Sequence, residues 1–244
     1  MKKHSNRSQV ERVLRIGAGS ACLLLLPFLG ACGNPFAPEK IEPEGGAAER
    51  PPAQEATTPE IAMDNNERAF NDRDKELYES LLDEDFWFTE PDCLGDLVFV
   101  WGREIELEIM GGSRDGSRPG IFEQFRTIDY EIELIRRFTE LGRDFPKRDE
   151  NDIDGHPDED WEVFRARVRM LLLFEENEGF RVDQIMTFKL REAEDGTWKI
   201  ARWIDDPLSG ACGGGAEEGG DETSKLVDGG PIPAGWSSVK RSVF

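Results

Sequence analysis

Two segments in the second half of the chain alternate between apolar and polar side chains, and this alternation restricts the fold more than any other feature. The segments are residues 127–135 and residues 162–174. A period of two residues is that of a β-strand with one buried face. The polar faces carry opposite charges: Asp129, Glu131 and Glu133 in the first segment, and Arg165, Arg167 and Arg169 in the second. The two segments are therefore predicted to pair as antiparallel strands.

A register in which paired residue numbers sum to 298 satisfies both faces of this strand pair. It sets Asp129 against Arg169 and places the apolar side chains of one strand opposite those of the other. A slip of two residues leaves every side chain on the same face, so alternation alone determines the pairing but not the register. We predict the register whose sum is 298, because it satisfies both faces. The arginine row is either an anion-binding strip or an ion-pair ladder with the facing carboxylates. We favour the ladder, because it needs no ligand.

The remaining elements complete an α+β pattern in which helices come first. Phe70, Leu77 and Leu81 form one stripe of an amphipathic helix whose predicted N-cap is Asp64. Further elements are a short strand at 85–89, a helix from Trp101 that stops at Gly111-Gly112, and strands that follow turns at 175–179 and 195–196. We therefore predict a curved antiparallel sheet of at least four long strands, with N-terminal helices packed on its concave face.

This order of elements and three segments resemble the nuclear transport factor 2-like superfamily, which includes the SnoaL-like polyketide cyclases. The segments are NNERAFNDRDKELYESLLDEDFWFT, WGREIELEIM and DQIMTFKLREAEDGTWKIARWIDDP, within residues 62–207. The resemblance implies a cone-shaped α+β fold around a hydrophobic pocket, and often a homodimer formed through the sheet. Members of the superfamily include isomerases, dehydratases, cyclases and non-catalytic binding proteins, so the fold alone does not select a function.

The first part of the chain has the three parts of a secretory signal: a basic segment, an apolar segment at residues 16–29, and a small pair before Cys32. The apolar segment is about 14 residues long, short of the roughly 20 that a transmembrane helix needs, and Pro27 interrupts it. Leu29-Gly30-Ala31-Cys32 resembles the lipobox of bacterial lipoproteins, in which a peptidase cuts before the cysteine and its sulfur receives a diacylglycerol. The resemblance implies Cys32 as the lipidated first residue of the mature chain.

Acyl chains on Cys32 would insert into a lipid bilayer, and each buried methylene contributes about 0.8 kcal/mol to anchoring. The lipid bilayer is therefore the first predicted partner. Gly33 follows the cysteine where lipoproteins retained at the inner membrane usually carry Asp. We therefore predict an anchor in the bacterial outer membrane with the domain facing the periplasm. An ordinary signal peptide that contains a cysteine is the alternative.

Composition divides the chain into four parts. These are the signal at 1–31, a flexible tether at 32–61, the folded domain at 62–208, and a Gly-rich, largely disordered tail at 209–244. Within the tail, Trp236 and the basic end VKRSVF have a composition that would let them dock on the domain. The formal charge of −21 repels phosphate backbones, so no nucleic-acid partner is expected.

The four cysteines are predicted to end in different chemical states. Cys22 leaves with the signal, and Cys32 is occupied by lipid. Cys93 and Cys212 remain in an oxidising compartment, where we predict that they form one disulfide. Because Cys212 lies in flexible sequence, two free thiols are the alternative.

The sequence contains no phosphate-binding loop, nucleophile elbow or His/Cys metal cluster, so no cofactor is expected. We predict a non-catalytic domain that binds a small apolar ligand or a protein partner. Its pocket is predicted to be lined by Phe70, Trp101, Tyr130, Phe188 and Trp203. The alternative is an isomerase, dehydratase or cyclase of the SnoaL-like type that uses a pocket carboxylate and a tyrosine.

Three further polar residues are given structural interpretations. His156 is the only histidine outside the signal and lies in a polar loop, where a catalytic Asp–His pair is hard to build. Asp205 and Asp206 end a strand near the predicted pocket mouth and precede Pro207. We expect both carboxylates to be solvated.

The acidic loop around His156 is similar to a calcium-binding loop. Glu150, Asp152 and Asp154 alternate before a glycine, and Asp158 follows. The loop departs from the calcium pattern at its first position, at Pro157 and at the bidentate position, and it joins two predicted strands rather than two helices. A solvated hairpin loop without a metal is therefore favoured.

Overall fold

A computed structural model of the chain describes residues 52–175, 178–206 and 230–243, which belong to one unit. The predicted signal, most of the tether, Cys32 and Cys212 lie outside these residues. The helices are α1 (Pro59–Asp72), α2 (Lys75–Leu81), α3 (Arg103–Gly111), α4 (Ile121–Gln124) and α5 (Trp236–Val243). The strands are β1 (Leu82–Pro91), β2 (Leu97–Gly102), β3 (Thr127–Glu140), β4 (Trp161–Leu173), β5 (Gly179–Glu192), β6 (Trp198–Asp205) and β7 (Ile232–Pro233). None of the helices in these ranges is long and apolar enough to span a membrane.

The described strands form one curved, unclosed sheet in the order β2-β1-β6-β5-β4-β3, and β7 pairs with β5. Strands β3 to β6 are an antiparallel meander. Strand β1 runs parallel to β6 and antiparallel to β2. Helix α1 packs against β3 and β6 on the face that carries the hydrophobic core. The predicted α+β class and its four-strand meander are confirmed.

The predicted register of the β3–β4 pair is wrong by two residues. Tyr130 faces Met170 and Glu131 faces Arg169, so paired numbers sum to 300 up to a bulge at Ile135. Alternation could not distinguish the two registers, because both keep every side chain on its face. Contacts beyond the alternating segment fix the observed one: the Arg126 amide donates to the Leu173 carbonyl at 2.8 Å.

The arginine row of β4 forms ion pairs in both directions across the sheet. Arg169 pairs with Glu131 at 2.8 Å and also with Glu133 on β3. Arg167 instead pairs with Asp183 on β5 at 2.6 Å, and the Asp183 pKa is lowered by the hydrogen bonds from that guanidinium. Arg165 pairs with Asp206 at 3.3 Å. All three arginines thus have ion-pair partners, but only Arg169 pairs with carboxylates of β3, so the predicted ladder between the two strands forms only in part.

The N-terminal helical region is longer than predicted and consists of two helices. Thr58 caps α1, its Oγ1 accepting from the Ile61 amide at 3.3 Å, and Pro59 occupies the first turn. Arg73 takes a left-handed conformation with φ of 55° and ends α1, after which Asp74 caps α2. Asp64 is therefore interior to α1 rather than its cap.

The predicted tether is also too long, because the segment before α1 packs on the domain. Ala56 is buried, and its carbonyl accepts from the Trp198 amide at 2.7 Å. Gln54 accepts from Asn65 Nδ2 at 2.7 Å. The predicted helix near residue 101 does end at Gly111, but Trp101 itself belongs to β2.

The tail prediction is wrong for residues 230–243, which form β7 and α5. Trp236, Val239, Lys240 and Val243 recur at the spacing of one helix face, and the first three are buried. The Gly-rich composition between the domain and this segment dominated the prediction and obscured an eight-residue amphipathic helix.

Candidate functional site

The five predicted pocket residues all lie in the interior of the domain, where they pack as a core. Each is at most 8% exposed. Phe70 stacks on Tyr130 with ring centroids 4.3 Å apart and contacts Trp203 at 5.9 Å. Phe188 contacts Trp203 at 4.7 Å. The structure therefore brings these side chains together as a packed core.

Helix α5 packs against the aromatic rings of this interior. Its Trp236 ring lies 5.8 Å from Phe70 and 6.3 Å from Trp203. One turn later the Lys240 side chain enters the core, where it is 0% exposed. The C-terminal helix is thus the occupant of the predicted pocket.

Four aromatic rings surround the Lys240 ammonium. The distances from Nζ to the ring centroids are 3.7 Å for Phe88, 4.8 Å for Trp203, 5.1 Å for Trp236 and 5.5 Å for Trp101. Aromatic faces attract cations at these separations, most strongly where water is excluded. We call the Phe88, Trp101, Trp203 and Trp236 rings together with Glu106 the ammonium cage.

Glu106 of α3 is the anion of the ammonium cage and is 0% exposed. Lys240 Nζ donates to its two oxygens at 2.7 and 2.8 Å. The Tyr78 hydroxyl donates to Oε1 at 2.6 Å, and Trp101 Nε1 donates to Oε2 at 2.7 Å. Burial is the main cause that lowers the pKa of Lys240 and raises that of Tyr78. A buried carboxylate and a tyrosine are therefore present, with the carboxylate fully hydrogen-bonded.

Asp205 and Gln184 hold the start of α5. Asp205 Oδ2 accepts from the Ser237 amide at 2.8 Å, and Gln184 Oε1 accepts from the Trp236 amide at 3.0 Å. These bonds satisfy amides that have no partner within the first turn of a helix. Gln184 Nε2 also donates to Asp205. Burial raises the pKa of Asp205 to about 7.

Sequence reasoning missed the polar residues of this interior. Asp205 was expected to be solvated but is 0% exposed, because it lies on the same face of β6 as Trp203. Because the two residues are two positions apart in the strand, the burial of Trp203 indicated that Asp205 is buried as well. Glu106 precedes the buried Ile109 and Met110 by one turn of α3, and Lys240 follows Trp236 by one turn of α5. The helical spacing therefore indicated both positions, although their charges argued against burial.

The connection between β3 and β4 packs on the outer face of the sheet through His156. This histidine is buried, and its ring is stacked between Phe145 at 4.9 Å and Trp161 at 4.0 Å. His156 Nδ1 lies 2.9 Å from the Glu159 carbonyl oxygen. The acidic loop is therefore an ordered cover over part of the sheet, and the prediction of a solvated hairpin loop is wrong in this respect.

A groove of about 750 Å³ separates this connection from strands β1 and β2. Trp87, Leu97 and Val100 give it an apolar wall, and the last two are 50% and 41% exposed. Two buried donors among its lining residues have no hydrogen-bond acceptor in the described structure: Trp161 Nε1 and Arg202 Nε. Burial lowers the pKa of Arg202 to about 10.

The four acidic residues of the calcium-like pattern do not converge. Asp152 accepts from Arg148 Nε at 2.8 Å and from Nη2 at 2.9 Å, which engages both its oxygens. Asp154 lies 3.9 Å from Lys189 Nζ. Within the described ranges, no group of three or more His, Cys, Asp or Glu side chains is arranged to hold a metal ion. Glu150 and Asp158 line the groove.

Cys93 lies in the connection between β1 and β2 and is disulfide-bonded. Its partner is outside the described residues, as are the other three cysteines. The pairing with Cys212 therefore stays a prediction.

No protein-family model and no curated protein matches the chain. Among solved structures, it is similar to an ntf2-like protein from Shewanella baltica at 12% identity and a TM-score of 0.34, over 59% of this chain and 85% of that one. A ketosteroid isomerase-like protein from Erwinia carotovora atroseptica matches at 14% identity and a TM-score of 0.35, over 59% and 89%. An LEH-like epoxide hydrolase from M. tuberculosis matches at 13% identity and 0.33, over 59% and 78%. At this level the matches carry no argument about function.

Proposed function

We propose that the chain is a lipid-anchored periplasmic protein whose α+β domain binds a ligand or a partner without catalysis. The observation that carries the proposal is the filling of the interior by α5. Glu106 is the interior carboxylate that contacts a tyrosine, and Lys240, Tyr78 and Trp101 occupy its oxygens. A substrate has no access to this carboxylate while α5 is docked, so binding takes place on the outer surface.

The groove beside β1 and β2 is the binding site that we propose. Its apolar wall suits an aromatic or aliphatic body. Trp161 Nε1 has no hydrogen-bond acceptor, and the nearest carboxylate oxygen to Arg202 Nε, that of Asp154, lies 3.9 Å away, so both donors can take a hydrogen-bond acceptor. Glu150 and Asp158 at the rim disfavour an anion. The proposed ligand class is therefore a neutral molecule with an apolar body and a carbonyl or ether oxygen.

Nile red, a neutral aromatic dye with a carbonyl group, is a probe of this chemistry. We expect saturable binding to the purified domain, measured by dye fluorescence, and a loss of affinity of about 10-fold or more in Trp87→Ala. Leu134→Ala is the matched control, because it removes an exposed apolar side chain on the opposite edge strand. Equal affinity in all three proteins would place the dye elsewhere and contradict the proposed groove.

The lipid anchor has its own test, which does not depend on the groove. Full-length chain expressed in a bacterium that processes lipoproteins should incorporate an azide-tagged palmitate and sediment with the outer membrane. Cys32→Ala should lose both the label and the membrane association, since the thiol is the only attachment atom proposed. Cys22→Ala is the control and should retain both. Retention of label in Cys32→Ala would contradict the anchor.

An enzyme of the SnoaL-like type is the second candidate, and the Tyr78–Glu106 hydrogen bond of 2.6 Å is the observation in its favour. A carboxylate beside a tyrosine can move a proton to or from a bound substrate. That chemistry requires α5 to leave the interior, so rapid opening of α5 in the resting protein would favour the enzyme over the binding protein.

A further inference from the structure

We infer that the interior of the domain is a binding site for a primary ammonium group on an unbranched alkyl stem, and that Lys240 is the ligand which the chain itself supplies. This site is separate from the groove and does not rest on the proposed function. The ligand class follows from the atoms that contact the Lys240 ammonium. It also depends on how many of these atoms belong to the domain outside α5.

The body of the domain builds most of the ammonium cage without help from α5. Phe88 and Trp101 stack with centroids 4.3 Å apart, so two walls support each other. Trp203 is held by Phe188 at 4.7 Å. Tyr78 and Trp101 orient the Glu106 carboxylate from α2 and β2. Only the Trp236 ring and the ammonium come from α5, so the site is preorganised for a cation.

The contacts of Nζ specify a primary ammonium. Two of its N–H groups reach the two oxygens of Glu106, at 2.7 and 2.8 Å, and the Phe88 ring centroid lies 3.7 Å away. A quaternary ammonium would keep the attraction to the rings and lose both hydrogen bonds. An alcohol would keep one hydrogen bond and lose the charge. A primary ammonium therefore satisfies together two features of the site, the charge and the two hydrogen bonds, of which a quaternary ammonium and an alcohol each keep only part.

Simple core packing does not account for this arrangement. Burial of a lysine removes a strongly hydrated charge from water, and an apolar side chain of similar volume fills such a position without that cost. The Lys240 charge is instead matched by the Glu106 carboxylate and by aromatic faces, and a matched cation in the interior fits a binding site better than an optimised core.

Chemical rescue of a truncated lysine tests the site. In the full chain, Lys240→Ala removes three methylenes and the amine, which together correspond to n-propylamine. We expect saturating n-propylammonium to raise the melting temperature of Lys240→Ala by roughly 3 °C or more, as binding to the folded state alone requires. Wild-type protein should not respond, because Lys240 already fills the site.

Three controls make the result specific. Propan-1-ol and tetramethylammonium should raise the melting temperature of Lys240→Ala by less than half as much as n-propylammonium, because each keeps only part of the contacts. The double variant Glu106→Gln/Lys240→Ala should lose most of the response to n-propylammonium. Equal stabilisation by propan-1-ol would show an apolar cavity and overturn the inference. Where Lys240→Ala does not fold unaided, the readout is the folded fraction recovered on refolding. If n-propylammonium does not increase this folded fraction, the inference is overturned as well.

Discussion

Lys240→Ala should lower the free energy of unfolding by about 3–5 kcal/mol, the range for breaking a buried ion pair by removal of one partner. The cause is the charge that the substitution leaves behind. Glu106 would remain 0% exposed, with hydrogen bonds from Tyr78 and Trp101 but without its cation. Urea denaturation followed by tryptophan fluorescence and circular dichroism measures the change.

Two further variants separate the buried pair from other contributions of α5. Glu106→Gln/Lys240→Met removes both charges and should be more stable than Lys240→Ala, because no unpaired charge stays buried. Arg241→Ala removes the next residue, whose ion pair with Glu90 at 2.9 Å is partly exposed, in contrast to the fully buried Lys240–Glu106 pair, and should cost about 1 kcal/mol. Similar losses in Lys240→Ala and Arg241→Ala would mean that Lys240 is not buried against Glu106.

Stability should fall as the pH rises from 5 to 7, with Asp205 as a main cause. Burial raises the pKa of Asp205 from 3.8 to about 7. The folded state therefore keeps a proton in this window that the unfolded state has already released. For a raised carboxyl pKa, the sign is a loss of stability with rising pH, so the contribution of this group to the free energy of unfolding declines between pH 5 and 7.

Asp205→Asn provides the comparison for this pH dependence. Its amide does not titrate, so the free energy of unfolding should change less between pH 5 and 7 than in the wild type. Burial also raises the pKa of Asp206, opposed by Arg165, but this group is common to both proteins and cancels in the difference. Parallel stability–pH curves for the two proteins would contradict the buried position of Asp205.

The sequence predicts the sheet well because alternation is a local property. Even positions of β4 from Phe164 to Leu172 face the core, as predicted, and the antiparallel pairing follows from the charges of the odd positions. The two-residue error in register shows the limit of such reasoning. Alternation is unchanged by that slip, and the contacts that decide it involve residues outside the pattern.

The interior site was only half predictable for a different physical reason. Aromatic residues such as Phe70 and Trp203 are buried in almost any packing of these elements, so their location could be inferred from apolar spacing. Glu106 and Lys240 are buried because each neutralises the other across 134 residues of sequence. Helical spacing points to both positions, but no local pattern in a single sequence shows that the two charges pair, and charged side chains are otherwise expected at the surface.

Helix α5 fills the interior of the domain, and native-state hydrogen exchange measures whether it is docked there. Exchange in the wild-type protein is measured by mass spectrometry on peptides. A peptide covering residues 236–243 should exchange as slowly as the central part of β5. The reason is that the amides of a docked α5, like those of β5, reach solvent only in larger opening events. Complete exchange of this peptide within seconds, while β5 stays protected, would show that α5 is not docked and would contradict the account.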